Sequence, residues 1–298
     1  YRQFSVRIGE KPVDSSQTPL LLPRFSFRQK IFAYRGCLLM TTYPVHMPPP
    51  IVLSFAASDP SGGAGLQADL MTASALGCHA LSVITALTVQ DSLGVASIFA
   101  IAADWVERQA RTLLEDMPVA AFKIGLLGSA ENMHVIAEIL ADYPHVPVVL
   151  DPVLASGRGD ELADEEMIAT LREVLLPRTT ILTPNSLEAR RLADEAEEGE
   201  GMDAPRALDD CAQRLLSFGC QYVLLTGTHD NTPRVVNSLY GRESGLLRSD
   251  VWDRLPGSYH GSGCTLASAI AAHLASGLPV SEAVQAAQAY TWQALAAG

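Results

Sequence analysis

Short, continuously apolar runs alternate with longer segments of helical periodicity from Met47 onward. Ile51–Ala57 and Leu81–Thr88 are typical of buried strands, and Ala64–Leu76 is typical of a helix that ends at Gly77. Continuous apolar strands separated by helices predict an α/β fold with a mostly parallel sheet, buried on both faces. The other predicted strands are Ala120–Ile124, Val146–Leu150, Thr180–Leu182, Tyr222–Leu225 and Val235–Tyr240 (antiparallel, near an edge), and the other predicted helices include Trp105–Leu114, Cys264–Ala275 and Ser281–Ala296.

The first 46 residues do not share this pattern. They lack a steady apolar period, contain four prolines, and carry seven Lys/Arg residues against two acidic ones. We interpret residues 1–46 as a poorly ordered extension upstream of a native start near Met47, with an organelle transit peptide as the alternative. Residues 47–298 are expected to form a single domain, in which the acidic segment 194–204 is a solvated loop.

Charge and cysteine usage narrow the range of partners. The 298 residues carry a formal net charge of −12, and the part after residue 46 holds 14 basic and 31 acidic residues without a basic stripe. Such a surface repels nucleic acid and anionic membranes. No apolar run reaches the roughly 18 residues that a spanning helix needs.

The five cysteines form no CxxC pair, which argues against a zinc site and a disulfide framework and predicts a cytoplasmic location.

Ligands bind outside the carboxyl ends of the strands in an open parallel sheet, so the segments that follow strands are candidate sites. The first is Asp59–Asp69, whose glycines let the backbone approach a ligand and leave amides free at the next helix N-terminus. Gly63, Gly65 and Ala68 also fit the G-x-G-x-x-G/A fingerprint. That weak match keeps a nicotinamide dehydrogenase as one alternative.

Single polar residues after other strands are weaker candidates. Gln90 offers a donor and an acceptor, which suits a pyrimidine edge, although an ordinary exposed loop residue explains it as well. Asp151 at a strand end is suited to Mg²⁺, with helix capping as the alternative. Asn185 and Glu188 share a helix face and are suited to a nucleotide-bound Mg²⁺. Their N-x-x-E spacing is also that of a capping box, which is the better local explanation.

The sharpest signal is Tyr259–Ala269, where a Gly-Ser-Gly turn opens a long apolar helix. Gly261, Ser262 and Gly263 leave amides free at the positive end of this helix, which predicts an anion hole for a phosphoryl group in transfer. Cys264 lies in the first turn, where the pKa of a thiol is expected to be lowered. A small, buried packing residue is the alternative. The chain has no Walker A motif, which excludes a P-loop kinase.

These segments, in this order, resemble the hydroxymethylpyrimidine/phosphomethylpyrimidine kinase family of the ribokinase-like group. One motif alone is weak, but six in register over residues 51 to about 290 are highly specific. The matching segments are Ser58–Asp69, Val83–Gln90, Lys123–Leu127, Val149–Val153, Thr183–Ala189 and His260–Thr265.

The resemblance implies a three-layer αβα sandwich around an eight-stranded, mostly parallel sheet, commonly assembled as a homodimer. It also implies the reaction. The γ-phosphoryl group of ATP is transferred to the hydroxymethyl group of 4-amino-5-hydroxymethyl-2-methylpyrimidine, and then to the resulting monophosphate, in thiamine biosynthesis. ATP and Mg²⁺ are the implied cofactors.

The resemblance further implies roles for individual residues. It leaves the role of Lys123 open, and one interpretation is an ion pair that supports the end of its strand. The implied substrate site consists of Asp69, Gln90, Val153 and Ala57, and the implied catalytic site of Cys264 with the Gly261, Ser262 and Gly263 amides. The implied nucleotide-binding residues are Asn185, Thr183 and Thr226. The implied metal ligands are Glu188 and Asp151.

The chain departs from the family pattern at several positions. Relatives often read Lys-Gly-Gly-His where this chain has Thr226-Gly-Thr-His229, so a phosphate-side lysine is missing. The second phosphorylation is the step most affected, because two adjacent phosphates favour more positive charge. Ala57 replaces a frequent glycine, and Ser262 replaces the commoner threonine. Relatives usually continue beyond the position of Gly298, so a truncated C-terminus is expected.

The chemistry of phosphoryl transfer suggests how the candidate residues act. The transition state is loose, so positioning and charge neutralisation matter more than base strength. Cys264 is expected to accept the hydroxymethyl proton or to orient the hydroxyl late in transfer. Besides the dehydrogenase, two alternatives remain. One is a pyridoxal kinase of the same fold, and the other is a non-catalytic pyrimidine-binding regulator, for which Thr226 is the best support.

Overall fold

The computed structural model of the chain describes residues 48–91, 94–156, 159–194, 207–228 and 232–297. Its strands are β1 Ile51–Ser58, β2 His79–Gln90, β3 Val95–Ala100, β4 Ala121–Ile124, β5 Val148–Leu150, β6 Ile181–Leu182, β7 Tyr222–Thr226, β8 Arg234–Gly241 and β9 Gly245–Asp253. Within the described ranges these strands form one nine-stranded sheet in the order β3-β2-β1-β4-β5-β6-β7-β8-β9.

Helices occupy most of the connections between the strands. They are α1 Gly65–Ala75, α2 Ala103–Asp116, α3 Ala130–Asp142, α4 Glu165–Thr170, α5 Ser186–Ala193, α6 Leu208–Ser217, α7 Ser262–Ala275 and α8 Val280–Ala297. A π turn (Leu171–Leu175) and a 3-10 turn (Leu176–Arg178) extend α4. Among the described residues, no helix combines the length and apolar character that a membrane span requires.

The chain changes direction across the sheet at β1. β1, β2 and β4 to β7 run parallel, whereas β3 pairs antiparallel with β2, β8 with β7, and β9 with β8. Leu53 of β1 lies opposite Leu81 of β2 on one side and Phe122 of β4 on the other. β2 and β3 lie on one side of β1, and β4 and the later strands lie on the other, so the strand order reverses between β1 and β4. In this type of sheet we expect a ligand crevice at the carboxyl ends of the strands at that point.

Two apolar cores lie on the two faces of the sheet, because successive strand side chains point to opposite faces. Leu53, Phe55 and Phe122 pack against α2 to α6 on one face. Val52 packs with Ile270 and the rest of α1, α7 and α8 on the other face. The predicted three-layer αβα architecture with a mostly parallel sheet is therefore confirmed.

The sheet differs from the expectation in its number of strands. The resemblance implied eight strands, and the described residues form nine. Two edge strands, Val95–Ala100 and Gly245–Asp253, were not predicted. Both are half exposed and mix apolar with polar residues, so neither has the continuous apolar run of a central strand. The antiparallel strand predicted near an edge at Val235–Tyr240 is confirmed as Arg234–Gly241, next to the edge strand.

Two predictions about organisation concern other parts of the chain. The extension at residues 1–46 lies outside the described residues, as does most of the acidic segment 194–204. The division at Met47 and the solvated loop therefore stay predictions.

Candidate active site

The N-terminal turn of α7 lies against the glycine-rich loop that follows β1. Gly261 precedes the helix with a φ of +79°, and a Cβ there would lie 1.9 Å from the carbonyl oxygen of Gly63. Only glycine allows the two backbones to approach this closely. The helix begins at Ser262 rather than at the predicted Cys264. The amides of Ser262 and Gly263 therefore lie in its first turn, where N–H groups have no partner within the helix.

Cys264 follows in the same turn and is enclosed by protein atoms on most sides, although part of its surface stays accessible. Burial raises the pKa of its thiol to about 12. The negative charges of Asp151 and Asp69 act in the same direction, and the positive charge of Lys123 opposes them. The expectation of a lowered thiol pKa is therefore wrong, because burial and two carboxylates outweigh the Lys123 ammonium group and the hydrogen bond with the Gly65 backbone.

A buried ion pair between α1 and β4 lies behind this turn. The Lys123 Nζ atom is 2.9 Å from Asp69 Oδ1 and 3.0 Å from Oδ2. Ser268 on α7 donates to Oδ1 at 2.7 Å, and Ser54 on β1 donates to Oδ2 at 2.5 Å. Burial alone would lower the pKa of Lys123, but the surrounding negative charge, chiefly that of Asp69, raises it. The ammonium group therefore stays charged.

These contacts bear on the predicted role of Asp69. An ionised carboxylate has about four acceptor sites, and here Lys123, Ser54 and Ser268 together donate to both oxygens from inside the protein. The pyrimidine contact of Asp69 stays a prediction, and the geometry favours a different role. Asp69 holds Lys123 in place, and Lys123 in turn is the buried positive charge next to Cys264.

Asp59 organises the turn after β1. Its Oδ1 atom accepts from the Ser61 amide at 2.7 Å, and Oδ2 accepts from the Ala64 amide at 2.8 Å and the Ser61 hydroxyl at 2.9 Å. Burial alone would raise the pKa of Asp59, but the hydrogen bonds from Ser61, Ala64 and His260 outweigh it and lower the pKa. Asp59 is therefore an ionised acceptor at neutral pH.

His260 joins this turn to the end of β2. Its Nε2 atom lies 3.1 Å from Asp59 Oδ2 and 3.1 Å from the terminal amide of Gln90. A Cβ on Gly63 would lie 2.9 Å from the imidazole, so glycine makes room for the ring. The pyrimidine contact of Gln90 stays a prediction. No role was predicted for His260, although it belongs to a recognised motif.

The Asn185–Glu188 pair forms a capping box at the start of α5. Asn185 Oδ1 accepts from the Glu188 amide at 2.9 Å, and Glu188 Oε2 accepts from the Asn185 amide at 2.9 Å. The local explanation favoured by the sequence is therefore confirmed. Thr226 at the end of β7 lies beside this cap, because its amide donates to the Pro184 carbonyl and it pairs with Asn185. Thr183 is buried after β6.

The pKa values of the Asp151 and Glu188 carboxyl groups are both raised. Burial raises the pKa of Asp151 to about 6, against the opposing charge of Lys123. Burial, with the charge of Asp151, raises the pKa of Glu188 to about 7. Two buried carboxylates that repel each other fit a divalent cation. The described residues contain no cluster of three or more ligating side chains, so such an ion would need phosphate and water oxygens as well.

The remaining predicted substrate residues lie at the carboxyl ends of two parallel strands, β5 and β1. Val153 follows β5 and, with Asp151, lines a small cavity that extends to Met133. Ala57 is buried at the end of β1, and its carbonyl would lie 2.5 Å from a Cβ on Gly65. This close approach explains the glycine. The substrate contacts of Val153 and Ala57, and the nucleotide contacts of Thr183 and Thr226, stay predictions.

The sequence reasoning did not single out Ser54 and Ser268, which hold Asp69. Each is a polar residue at a buried position within an otherwise apolar run. Buried polar side chains need partners, so an isolated serine in such a run is a usable signal. The signal does not name the partner, because that depends on which elements meet in the fold.

Comparison with solved structures identifies the class of protein. The pyridoxal kinase from Staphylococcus aureus in complex with ADP is 29% identical with a TM-score of 0.70, covering 82% of this chain and 86% of that one. The phosphomethylpyrimidine kinase from Clostridium difficile 630 is 34% identical with a TM-score of 0.68, covering 83% of this chain and 99% of that one. The fold is thus that of a ribokinase-like small-molecule kinase.

Sequence comparisons identify the family within this class. The hydroxymethylpyrimidine/phosphomethylpyrimidine kinase of Streptomyces coelicolor is 40% identical over 259 residues, which is 87% of this chain and 93% of that protein. The Escherichia coli K12 protein of the same name is 38% identical over 249 residues, which is 82% and 90% of the two chains. The sequence pattern of phosphomethylpyrimidine kinase matches residues 59–298. The chain belongs to the phosphomethylpyrimidine kinase family, and the predicted kinase class is confirmed.

Proposed function

We propose that this protein transfers the γ-phosphoryl group of ATP to the hydroxymethyl group of 4-amino-5-hydroxymethyl-2-methylpyrimidine, and then to the resulting monophosphate. The observation that carries this proposal is the turn at Gly261–Cys264, which faces the buried Asp151 at the carboxyl end of the sheet. The names of the relatives and the family match over residues 59–298 support the choice of substrate and a place in thiamine biosynthesis.

The first turn of α7 supplies the stabilising groups for the transferred phosphoryl. Free amides at Ser262 and Gly263 sit at the positive end of a 14-residue helix. Such preorganised donors stabilise charge that develops in a loose transition state. They require no reorganisation during the reaction, because Gly261 fixes the turn against the Gly63 backbone.

Cys264 orients the substrate hydroxyl in this mechanism. A thiol with a pKa of about 12 is neutral near pH 7 and a poor free base. In a loose transition state the hydroxyl proton leaves late, so orientation matters more than base strength. The raised pKa therefore favours the second of the two roles considered for Cys264, the one in which it positions the hydroxyl.

Asp151 and Glu188 are the residues that would hold a nucleotide-bound Mg²⁺. Their raised pKa values reflect burial and, for Glu188, the nearby charge of Asp151, which a cation would relieve. Mg²⁺ is commonly bound through one or two carboxylates together with substrate phosphates. When bound, the ion supplies positive charge near the phosphates, which this chain otherwise lacks at Thr226.

The proposal extends to assembly and location. A homodimer is supported by the exposed apolar side chains Leu87, Val89 and Phe99 on the β2–β3 hairpin, because such patches commonly mark contact surfaces. A cytoplasmic location is supported by the cysteines, since the four in the described residues, Cys78, Cys211, Cys220 and Cys264, are free thiols.

A phosphate-transfer assay across the pyrimidine, its monophosphate and pyridoxal tests this function. We expect the pyrimidine to have the highest kcat/KM, the monophosphate a lower one, and pyridoxal the lowest. Cys264→Ala should lower kcat at least about tenfold with little change in the KM of either substrate, because it removes a positioning group but leaves the amides. A preference for pyridoxal would replace the proposal with the pyridoxal kinase alternative, and no transfer at all would favour a binding regulator.

A further inference from the structure

Three side chains from separate segments meet beside the crevice. The Nε2 atom of His260 is 3.1 Å from Asp59 Oδ2 and 3.1 Å from the atom placed as Nε2 of Gln90. Asp59 is almost fully buried, and the imidazole of His260 is about three-quarters buried. The ring also packs against Gly63, where a Cβ would come within 2.9 Å. The position of His260 is thus fixed from two sides.

The negative charge of Asp59 determines which ring nitrogen of His260 carries a proton. An ionised carboxylate only accepts hydrogen bonds, so the contact with Asp59 requires a proton on Nε2 of His260. The hydrogen bonds that Ser61 and Ala64 donate to Asp59 favour this ionised state. An unprotonated Nε2 would instead place two lone pairs against each other at 3.1 Å.

The same proton determines how the Gln90 amide is oriented. An N–H group on His260 cannot bond the NH₂ group of Gln90, because both are donors. The oxygen and nitrogen of an amide have nearly the same shape, so the hydrogen-bond network decides which is which. The arrangement that avoids opposed donors turns Oε1 of Gln90 toward His260, where it shares the single Nε2–H with Asp59 Oδ2, and it leaves the NH₂ group on the other side of the amide.

We propose that His260, oriented by Asp59, is a positioning residue that makes Gln90 present its NH₂ group to the substrate. This inference rests on the proposed function, in which Gln90 contacts the pyrimidine. The chemical consequence is selectivity for an aromatic ring that offers an unprotonated nitrogen as a hydrogen-bond acceptor at that edge. A ring that offers only a donor there leaves two donors facing each other, which is costly when they are buried.

The tautomer of His260 provides a test that does not depend on activity. Nitrogen NMR of the full chain, with the His260 signals assigned by their loss in His260→Leu, distinguishes a protonated from an unprotonated Nε2. We expect Nε2 of His260 to be protonated in the wild type. An unprotonated Nε2, with the proton on Nδ1 alone, would overturn the proposal whether or not the protein phosphorylates the pyrimidine.

Kinetics of Gln90 variants test which amide atom faces the substrate. Gln90→Glu keeps an oxygen toward His260 but has no NH₂ group to donate, so it should raise the KM of the pyrimidine about as much as Gln90→Ala. The expected rise is about tenfold, with the KM of ATP unchanged. If Gln90→Glu instead keeps the wild-type KM, the oxygen of Gln90 faces the substrate and the proposed orientation is wrong.

A double-mutant cycle separates positioning from general structural support. His260→Leu should raise the KM of the pyrimidine severalfold in the wild-type background and have little further effect on Gln90→Ala, because His260 acts through Gln90. His260→Gln keeps an N–H donor and should recover part of the loss. His134→Leu on the exposed face of α3 is the matched control. Equal effects of His260→Leu in both backgrounds would show that His260 does not act through Gln90.

If the wild-type protein fails to phosphorylate the pyrimidine, the proposed function fails, and the NMR measurement still decides the state of His260. If the wild type is active but the cycle is additive, only the positioning role fails. The two hypotheses are therefore separable with one set of variants.

Discussion

Lys123 is the residue on which the electrostatics of the site depend. Its ammonium group is fully buried, contacts both oxygens of Asp69, and is the positive charge that opposes Asp151 and Asp69 at the Cys264 thiol. Sequence alone marks it as the only lysine after residue 46, but does not give its partner. A buried charge is tolerated only when it is paired and hydrogen-bonded, and here Ser54 and Ser268 complete the arrangement.

Removing Lys123 should therefore cost far more than removing an exposed cation. Lys123→Met leaves Asp69 as an unpaired buried carboxylate, and we expect the free energy of unfolding to fall by about 3 kcal/mol or more. Lys123→Met combined with Asp69→Asn should recover part of this loss, because the unpaired charge is gone. Urea unfolding measures both. Arg111→Met, which breaks the exposed pairs with Glu107 and Asp142, is the control and should have a small effect.

If Lys123→Met unfolds at the same urea concentration as the wild type, Asp69 finds another partner or becomes protonated at little cost. The double variant distinguishes these outcomes from a general loss of packing. Packing loss should be additive, whereas removal of an unpaired charge should not be.

The thiol of Cys264 should react slowly with alkylating reagents at neutral pH. Its pKa of about 12 leaves very little thiolate, and the thiolate is the nucleophile. Alkylation by iodoacetamide, followed by mass spectrometry of the peptide that contains Cys264, should be much slower than for free cysteine at neutral pH and accelerate at alkaline pH. Alkylation faster than that of free cysteine would mean that the helix N-terminus and Lys123 dominate after all.

At the scale of elements, the sequence predicted best where one physical signal dominates. The central strands are continuous apolar runs, and β1, β2, β4 and β7 lie close to their predicted bounds. β3 and β9 were missed because an edge strand is half solvated and does not carry that signal. The start of α7 was placed two residues too late, since glycine and serine favour turns over helices until the tertiary contact with Gly63 is known.

The candidate site was predictable in part for the same reason. Glycine-rich turns after strands are visible in sequence, and the capping box of Asn185 and Glu188 was recognised from its spacing alone. The shift of the Cys264 pKa was predicted in the wrong direction, because the prediction used only the position in a helix and not the burial of the thiol or the carboxylates that distant segments bring near it. Such long-range effects depend on the fold and are not encoded in any short motif.

The turn that begins α7 should be far more sensitive to added side-chain volume than the turn that ends it. Gly261 and Gly277 both have positive φ, at +79° and +86°. A Cβ atom added to Gly261 would have neighbouring atoms within 4 Å, whereas one added to Gly277 would have none. Gly277→Ala should lower the free energy of unfolding by about 1 kcal/mol from backbone strain. Gly261→Ala adds a clash with the Gly63 carbonyl, so it should destabilise more and also lower kcat severalfold, because the displaced amides no longer stabilise the transition state.

Thermal unfolding and initial-rate kinetics on Gly261→Ala and Gly277→Ala check this difference. Because both substitutions impose the same type of strain, the gap between them isolates the contact of the α7 turn with the loop after β1. If the two variants are equally stable and equally active, the turn is free to shift, and a preorganised anion hole is the wrong description of it.

At the scale of the whole molecule, both edges of the sheet expose apolar side chains, and those at the β8–β9 edge are Val236, Leu246, Leu247 and Val251. The β2–β3 hairpin exposes Leu87, Val89 and Phe99, and Leu87 lies directly opposite Phe99 in the antiparallel pair. These three side chains share one face, since paired and alternate residues point the same way. Strand β2 of this hairpin ends at Gln90, so a partner that covers the hairpin would contact the strand that carries a predicted substrate residue.

The proposed homodimer should therefore dissociate when this hairpin face becomes charged. Phe99 is 69% exposed, so Phe99→Glu has little reason to disturb the fold of the monomer, but at a dimer contact it would bury an unpaired carboxylate. Sedimentation velocity should show the wild type as a dimer and Phe99→Glu as a monomer at the same concentration. Val251→Glu on the opposite edge strand, at a residue that is 53% exposed, is the matched control and should remain dimeric.

Because Leu87 and Val89 precede Gln90 on the same strand, the monomeric variant should also have a raised KM for the pyrimidine and an unchanged KM for ATP. If Val251→Glu dissociates the protein and Phe99→Glu does not, the contact lies at β9, and the hairpin face must be assigned another role.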